Sequence, residues 1–506
     1  MLFCEPIFLF CFLPLTLGAY YLAPRRARNV VLSLASLVFY AAGEWRFLGW
    51  LVASIAVNYW IGRGIADARG GGEASASTMA TGSKRGRSPR FRGTAWAKRL
   101  LIIGIASDLS LLVVFKYAGF IVSSVNGALT TAGVGSLPVP KLLLPLGISF
   151  FTFHKISYKV DVYRGTAEAR KAPLDLALYI LLFPQLIAGP IVRYYEIAGE
   201  LVHRVQTRSD LAAGIRRFVV GIGKKMIIAN TVAYSADRVF ALRGGELTTG
   251  LAWLGLVCYT LQIYFDFSGY SDMAIGLARM FGFHFPENFN YPYISTSMTD
   301  FWRRWHISLS RWFRDYVYIP LGGNRRGPVR VYANLVTVFF LCGLWHGASW
   351  TFVVWGMFHG SLLVAERVGL LKRLERWPRA VRHVYALLMV MVGWVLFRAG
   401  TFPQAMAFLK AMAGFAPDAG MAEDVALYLG PELIICLIAG AIGATPLGSV
   451  LLSAWSRFRA QARESVRPAL ETGTVAVSLA AGSAVFVYSA MLMAAGTYNP
   501  FIYFRF

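Results

Sequence analysis

Two histidines occur in sequence contexts that could support proton transfer. His346 lies in the run Leu344-Trp-His-Gly-Ala-Ser-Trp, between two apolar segments and flanked by Gly343 and Gly347, which would let a substrate approach the imidazole. His306 lies in a segment rich in tryptophan and arginine. A buried imidazole is expected to be neutral at pH 7, so His346 could act as a general base. A core histidine that hydrogen-bonds a neighbouring helix is an equally good interpretation of His346.

Other kinds of catalytic site are not indicated. A metal site needs ligands at suitable spacing, such as two histidines four residues apart, and none of the seven histidines is paired in this way. The chain also lacks a Gly-x-Ser-x-Gly elbow, a phosphate-binding loop and a dinucleotide-binding fingerprint. We therefore expect neither a metal nor a resident cofactor.

The elements that must position these residues are membrane helices. The chain is 57% hydrophobic and only 15% charged, and apolar runs of spanning length recur along it. We predict an all-α, polytopic single domain over residues 1–506 with about twelve transmembrane helices. The broken run Leu174 to Ile191 favours a re-entrant hairpin, and the segment Thr299 to Tyr316 favours an interfacial amphipathic helix. A low-complexity stretch predicts a flexible cytoplasmic loop at about residues 64–98.

The charge distribution predicts the orientation of the chain. There are 50 Lys and Arg residues against 26 Asp and Glu residues, a net charge of +24, and the basic residues concentrate between the apolar runs. By the positive-inside rule these connections are cytoplasmic, which places both termini on the outer face. The excess positive charge then reflects the orientation of the chain in the membrane, and we expect no nucleic-acid partner.

The five cysteines lie in apolar runs without paired spacing, so we predict that they are small apolar residues of the core.

Three motifs resemble those of the membrane-bound O-acyltransferase family, and within it the alginate O-acetyltransferase branch. They are Tyr264-Phe-Asp-Phe-Ser-Gly-Tyr-Ser-Asp-Met-Ala, then Asp300-Phe-Trp-Arg-Arg-Trp-His-Ile-Ser-Leu-Ser with the following Arg314-Asp-Tyr-Val-Tyr-Ile-Pro-Leu-Gly-Gly-Asn, and finally Leu344-Trp-His-Gly-Ala-Ser-Trp. The resemblance is dense from about Pro145 to Gly360.

This resemblance implies a helical enzyme of the bacterial inner membrane with a central tunnel. It implies that His346 is the catalytic histidine, and that His306 occupies the position of a supporting residue. The acetyl group would come from a cytoplasmic donor, for which acetyl-CoA is our candidate, and would pass towards a periplasmic protein that modifies an exported polysaccharide. Either His306 or an indole N–H could then stabilise the oxyanion. The candidate ligands for the donor phosphates are Arg303, Arg304, Arg311 and Arg314, although all four could instead serve as positive-inside anchors.

The C-terminal aromatic tail, residues 497–506, carries a further candidate. It resembles the C-terminal motif of a very short membrane protein that accompanies teichoic acid D-alanylation. Tyr503 is therefore a candidate acyl relay, because a phenol is easier to deprotonate than a serine and its ester stays reactive. An aromatic anchor at the outer interface is the alternative.

Two competing functions stay open at this point. One is transfer of D-alanine or another acyl group to teichoic acid. The other is a transporter that moves an acylated intermediate without catalysis, although the chain shows no internal repeat of the kind on which many transporters are built.

Overall fold

The computed structural model describes residues 1–70, 94–242, 244–416 and 424–500. Within these ranges the chain is helical and has no β-strand, which confirms the all-α prediction. The chain packs as two compact units. The first comprises Met1–Leu2, Ile7–Ala213 and Leu277–Pro286, and the second comprises Phe3–Pro6, Gly214–Gly276 and the described residues from Glu287 onward.

The α-helices follow one another along the described residues. Up to residue 202 they are α1 (Leu13–Leu22), α2 (Arg28–Glu44), α3 (Leu48–Asp67), α4 (Ala95–Leu112), α5 (Ala118–Thr131), α6 (Ile148–Arg164), α7 (Pro173–Leu181), α8 (Phe183–Leu186) and α9 (Tyr194–Val202). They continue with α10 (Arg208–Gly223), α11 (Asn230–Ala241), α12 (Thr249–Met280), α13 (Met298–Arg304), α14 (Ile307–Phe313), α15 (Gly327–His346), α16 (Trp350–Ala365), α17 (Leu371–Leu374), α18 (Arg379–Arg398), α19 (Phe402–Met412), α20 (Pro431–Gly443), α21 (Leu447–Gln461) and α22 (Arg467–Ala494).

Shorter helical turns join several of these elements. The π-helical turns are Phe8–Phe12, Val113–Tyr117, Lys224–Ala229, Arg314–Tyr318 and Glu366–Leu370. The 3-10 turns are Arg25–Ala27, Trp45–Phe47, Gly244–Glu246, Pro292–Ile294 and Val425–Tyr428.

The described residues contain six helices long and apolar enough to cross a membrane, or seven if the bent pair α20 and α21 counts as one span. The sequence predicts about twelve crossings, and that number stays a prediction. The difference arises because several apolar runs fold as shorter or charge-bearing helices. The run from residue 213 to 239, for example, is divided between α10, a π-helical turn and α11 and contains Lys224 and Lys225.

Two segments that the sequence predicts to be irregular are partly helical. Helix α3 continues to Asp67 and α4 begins at Ala95, so both edges of the predicted loop at residues 64–98 are helical. Residues 71–93 of that loop lie outside the described residues. The run Leu174 to Ile191 is interrupted at Leu182, as its prolines and glycine predict, and it forms the short buried helices α7 and α8.

The first unit holds a buried cluster of charges. Asp108 of α4 pairs with two lysines of α6, at 3.0 Å from Lys155 Nζ and in direct contact with Lys159. Asn58 of α3 donates to the same carboxylate at 3.0 Å. Buried charges are stable in such surroundings only when they are paired and hydrogen-bonded, and this cluster ties α3, α4 and α6 together.

The segment Thr299 to Tyr316 is broken, so the prediction of one continuous amphipathic helix is wrong. Helix α13 ends at Arg304 and α14 begins at Ile307, and His306 between them has φ 42° and ψ 55°. The cause is a pairing with the preceding segment: Asn290 N donates to the carbonyl oxygen of Arg304, and Ile307 N donates to that of Asn288, both at 2.9 Å.

The aromatic side chains of this segment are buried inside the protein instead of lining an interface. They are Trp302, Trp305, Trp312 and Phe313. Both short helices and the turn between them therefore contribute buried aromatic side chains.

Helices α15 and α16 cross at glycines. A Cβ atom on Gly343 would lie 2.4 Å from the carbonyl oxygen of Phe352, and one on Gly356 would lie 2.3 Å from that of Phe339. At Gly347 the Phe352 ring occupies the space of a Cβ, at 2.1 Å. The glycines beside His346 therefore admit α16 and not a substrate, which corrects the role expected from the sequence.

We expect Gly343→Ala to destabilise the protein. The added methyl group overlaps backbone across the crossing, and overpacking of this kind costs about 1–3 kcal/mol. Gly473→Ala is the matched control, because Gly473 is an exposed residue of α22 with no atom within 4 Å of its Cβ position. Alanine in an open helical position gains about 0.5–1 kcal/mol over glycine. Thermal unfolding in detergent should therefore shift down for Gly343→Ala and not for the control. Equal shifts would contradict the tight crossing.

Candidate active site

His346 is the last residue of α15, and its ring is held by aromatic neighbours. Edge-to-face contacts join the imidazole to Trp355 of α16, with 5.0 Å between ring centroids, and to Phe397 of α18, at 5.1 Å. The side chain is buried but not sealed, with 8% of the residue exposed. The junction between two apolar segments at His346 is the end of α15, and three helices determine where the imidazole lies.

His306 lies close to the same aromatic group. Its ring packs edge to face on Phe267 of α12, with 4.6 Å between centroids, and lies 6.1 Å from the ring of Trp345. The Trp345 ring also contacts His346, at 4.8 Å. One indole thus contacts both histidines, and the structure brings together the two residues singled out from the sequence.

The hydrogen bonds around His306 determine which ring nitrogen carries the proton. Its Nδ1 lies 3.0 Å from Oδ1 of Asn288, and that oxygen also accepts from the backbone N–H of Ser308 at 3.3 Å. Because a backbone N–H can only donate, the Asn288 atom is the oxygen, so Nδ1 of His306 is the donor. In the neutral ring Nε2 then carries the lone pair, and it is buried with no hydrogen-bond partner among the described residues.

Burial lowers the pKa of His306 to about 3, so this imidazole is neutral at pH 7. A neutral ring protonated at Nδ1 has no proton at Nε2, so it cannot donate to an oxyanion from that side. Of the two oxyanion donors expected from the sequence, an indole N–H fits this geometry. Trp355 Nε1 is buried, has no hydrogen-bond partner within the described part of the chain, and belongs to the ring that contacts His346.

A cavity of about 460 Å³ lies beside these residues in the second unit. Three arginines contribute to its lining, namely Arg303, Arg314 and Arg367. Its apolar wall includes Trp302, whose ring lies 5.9 Å from that of Trp355. Successive ring contacts therefore connect the arginine-lined cavity with His346.

The four arginines selected from the sequence take different positions. Arg303 and Arg314 line the cavity, and Arg314 Nε also donates to Asp315 at 2.7 Å. Arg304 instead pairs with Asp300, at 2.9 Å, and Arg311 is exposed and outside the lining. Donor binding by any of the four stays a prediction.

The carboxylates of the first motif are in ion pairs. Asp266 lies 2.7 Å from Lys225 Nζ, and both side chains are buried. Asp272 lies 2.7 Å from Arg217 and 2.7 Å from Lys224. These pairs join α12 to the preceding helical segment and neutralise charge that would be costly in the membrane. Among the described residues, no group of three His, Cys, Asp or Glu side chains could hold a metal ion.

The C-terminal tail is docked up to its last described residues. Asn499 Oδ1 accepts from Asn230 Nδ2 at 3.2 Å, and the carbonyl oxygen of Pro500 accepts from Lys225. Tyr503, the candidate relay, lies outside the described residues, so its role stays a prediction. The docked residues Asn499 and Pro500 precede Tyr503 by four and three positions in the chain.

Three residues of the site were missed by sequence reasoning. Asn288, Trp355 and Arg367 contact His306, His346 and the cavity respectively. Asn288 did give a signal, since it is an amide in the aromatic, proline-bounded stretch Phe285 to Tyr293. Trp355 and Arg367 had no local signal.

Comparison with known proteins identifies the class of enzyme. Residues 140–399 match the model of the membrane-bound O-acyltransferase family. The chain is 42% identical to a probable alginate O-acetylase of Azotobacter vinelandii over 100% of both chains. It is 35% identical to a peptidoglycan O-acetyltransferase of Helicobacter pylori, over 82% of this chain and 80% of that one. It is 32% identical to a teichoic acid D-alanyltransferase of Bacillus subtilis, over 48% of this chain and 62% of that one.

These matches make the protein a membrane acyltransferase. The chain belongs to the membrane-bound O-acyltransferase family, and its resemblance to the alginate O-acetyltransferase branch is confirmed. A transporter without catalytic activity does not fit this family.

We expect His306→Gln to make the protein less sensitive to acid. Unfolded histidine binds a proton near pH 6.5, whereas folded His306 resists protonation down to about pH 3. The stability that neutral His306 contributes is therefore present above pH 6.5 and is lost as the pH falls, by about 1.4 kcal/mol per pH unit. Glutamine does not titrate, so the variant's unfolding temperature should fall less steeply between about pH 7 and pH 4. Parallel curves for the two proteins would contradict a buried neutral His306.

Proposed function

We propose that the protein passes acetyl groups from cytoplasmic acetyl-CoA across the bacterial inner membrane for O-acetylation of an exported polysaccharide such as alginate. The observation that carries the proposal is the arginine-lined cavity joined by ring contacts to His346. The names of the relatives, an alginate O-acetylase and a peptidoglycan O-acetyltransferase, support acetyl as the group and a polysaccharide as its destination.

The proposed step is an ordinary acyl transfer. A hydroxyl oxygen attacks the thioester carbonyl, the new C–O bond forms, and the C–S bond breaks. The His346 imidazole takes the hydroxyl proton and returns it to the leaving thiolate, so the products are an ester and free coenzyme A. The oxyanion formed between the two events accepts a hydrogen bond from Trp355 Nε1, which is buried and otherwise unpartnered among the described residues.

The donor binds by charge at one end of the cavity and by apolar contact at the other. Arg303, Arg314 and Arg367 present guanidinium forks that suit the phosphates of coenzyme A. The pantetheine arm and the acetyl group would follow the apolar wall past Trp302 towards His346. The cavity arginines lie in segments that the positive-inside rule assigns to the cytoplasm, which agrees with a cytoplasmic donor.

Transfer of D-alanine to teichoic acid is the second candidate, because one relative has that name. The charge of the cavity favours acetyl. D-alanine carries an ammonium group, which Arg303 and Arg367 would repel, and no acidic residue is among the described residues that line the cavity.

The remaining parts of the proposal concern topology and partners. Both termini face the periplasm, and a periplasmic protein receives the acetyl group and modifies the polymer. Tyr503 would hold the acetyl group as an aryl ester between the two. The hydrogen bonds of Asn499 and Pro500 to Asn230 and Lys225 hold the residues before Tyr503 in place, which supports a defined position for the start of the C-terminal tail.

We expect His346→Ala to abolish polymer acetylation while leaving membrane insertion intact. Loss of a general base costs at least ~10² in rate. His203→Ala is the matched control, because His203 is exposed, belongs to the first unit and does not line the cavity. Acetyl content of the purified polymer and the amount of protein in the membrane are measured together. Normal acetylation by a well-inserted His346→Ala variant would contradict the assignment.

A donor role for the cavity predicts a change in KM. Arg303→Gln and Arg367→Gln each remove a charged hydrogen bond worth about 1.5–3 kcal/mol, so the KM for acetyl-CoA should rise at least ~10-fold with a smaller change in kcat. The assay uses inverted membrane vesicles and labelled acetyl-CoA.

The control for this series is Arg376→Gln, since Arg376 is exposed, lies in the same basic region and does not line the cavity. An unchanged KM in both cavity variants, or an equal rise in the control, would place the donor elsewhere.

A further inference from the structure

We propose that Asn288 is a positioning residue that holds His306 in the tautomer protonated at Nδ1, so that Nε2 accepts a hydrogen bond from the attacking hydroxyl group and orients it before His346 takes the proton. The inference rests on the proposed function, since it assigns the role of His306 within acyl transfer. It concerns a residue outside the three sequence motifs.

Asn288 is built into the site by five hydrogen bonds. It is 1% exposed, and its Nδ2 donates to Ser271 Oγ of α12 at 3.0 Å. Its Oδ1 accepts from Ser308 Oγ at 2.9 Å, from Ser308 N at 3.3 Å and from His306 Nδ1 at 3.0 Å. Its own carbonyl oxygen accepts from Ile307 N at 2.9 Å. The amide can therefore neither flip nor withdraw without leaving buried polar groups unpartnered.

The same residue holds the backbone of His306. The bond from Ile307 N to the Asn288 carbonyl lies next to His306, whose φ of 42° is in the left-handed region that non-glycine residues seldom adopt. Strain of this kind persists only where the surrounding structure over-determines it, and it clusters at functional sites. Asn288 thus fixes both the backbone of His306 and the proton on its ring.

The chemical consequence is a second acceptor next to His346. Nε2 of His306 is buried and has no hydrogen-bond partner among the described residues, while the ring lies against Trp345, which also contacts His346. An unpartnered lone pair in this place can accept the hydrogen bond of an attacking hydroxyl group and orient its oxygen before His346 takes the proton. The other tautomer would present an N–H at Nε2, which cannot accept that hydrogen bond.

Other charged groups lie on the elements around His306. The carboxylates among them are paired: Asp266 with Lys225, Asp272 with Arg217 and Lys224, Glu287 with Arg217, and Asp300 with Arg304. Arg303 and His346 belong to the site, and Arg311 is exposed. Burial alone lowers the pKa of His306. A carboxylate placed at position 288 should therefore dominate the titration of this ring.

The test uses two variants with opposite chemistry. Asn288→Asp keeps an acceptor opposite Nδ1 and adds a negative charge, which should raise the pKa of His306 by about 1–3 units. Asn288→Leu removes the acceptor. At about pH 7.5 we expect Asn288→Asp to keep most of its acetyl transfer activity in inverted membrane vesicles supplied with acetyl-CoA and Asn288→Leu to lose at least ~10². On lowering the pH to about 5, Asn288→Asp should lose at least ~10-fold more activity than wild type.

The matched control is Asn290→Asp, the same substitution at an exposed residue of the same segment. It should follow the wild-type pH profile. A merely structural role for Asn288 predicts that Asp and Leu behave alike, or that the pH profile of Asn288→Asp does not move, and either result would overturn the proposal.

Nitrogen-15 NMR of histidine-labelled wild-type protein gives a readout that does not need activity, with His306→Gln used to assign the signal. We expect Nδ1 to be protonated and Nε2 to be unprotonated at neutral pH. A signal from the Nε2-protonated tautomer would overturn the inference, even if the Asn288 variants fail to fold. The expected tautomer in a protein that transfers no acetyl group would support the role of Asn288 and contradict the proposed function instead.

Discussion

The backbone pairing between residues 288–290 and 304–307 is the interaction on which the second unit's site depends. Two hydrogen bonds of 2.9 Å end α13 at Arg304 and start α14 at Ile307. In a continuous helix, the direction of the His306 side chain would be fixed by the helical geometry of the residues on either side. The break instead directs the imidazole towards Phe267 and Trp345 and leaves Arg303 on the cavity. One break in the helix therefore allows the same short segment to place His306 near His346 and Arg303 on the cavity that we propose for the acetyl donor.

Charge neutralisation is the second constraint, because most of the chain lies among apolar surroundings. Asp266 is paired with Lys225 in the second unit, and Asp108 is paired with Lys155 and Lys159 in the first. These carboxylates hold helices together through ion pairs, since a buried charge that lost its partner would be strongly destabilising. The cavity differs: Arg314 pairs with Asp315, but no carboxylate is among the described residues that line the cavity, and Arg303 and Arg367 lie there as well. The cavity therefore has positive charge that can meet a phosphate-bearing donor.

The sequence predicted those features that depend on local pattern. Hydropathy identified an all-helical membrane chain, and the junction between apolar segments at His346 coincides with the end of α15. The break at His306 could not be predicted, because the spacing of Trp302, Trp305 and Trp312 is helical and the bonds that interrupt it come from a segment about sixteen residues earlier. The role of the glycines was misjudged for a similar reason. What fills the space beside Gly343 is the backbone of another helix, and sequence alone does not show which helices cross.

Long-range packing also explains the residues that were missed. Trp355 is one of 14 tryptophans, and only its contact with His346 distinguishes it from the others. Arg367 joins Arg303 and Arg314 across more than fifty residues of chain. The number of crossings stays a prediction, because apolar composition does not reveal where a helix bends or ends, and six or seven helices of the described residues are long and apolar enough to span.

A structure of the protein in lipid nanodiscs with a thioether analogue of acetyl-CoA would show directly where the donor binds. We predict that the phosphates contact Arg303, Arg314 and Arg367, and that the acyl end reaches past Trp302 and Trp355 to His346. An analogue bound with its phosphates away from these arginines, or with its acyl end remote from His346, would contradict this prediction.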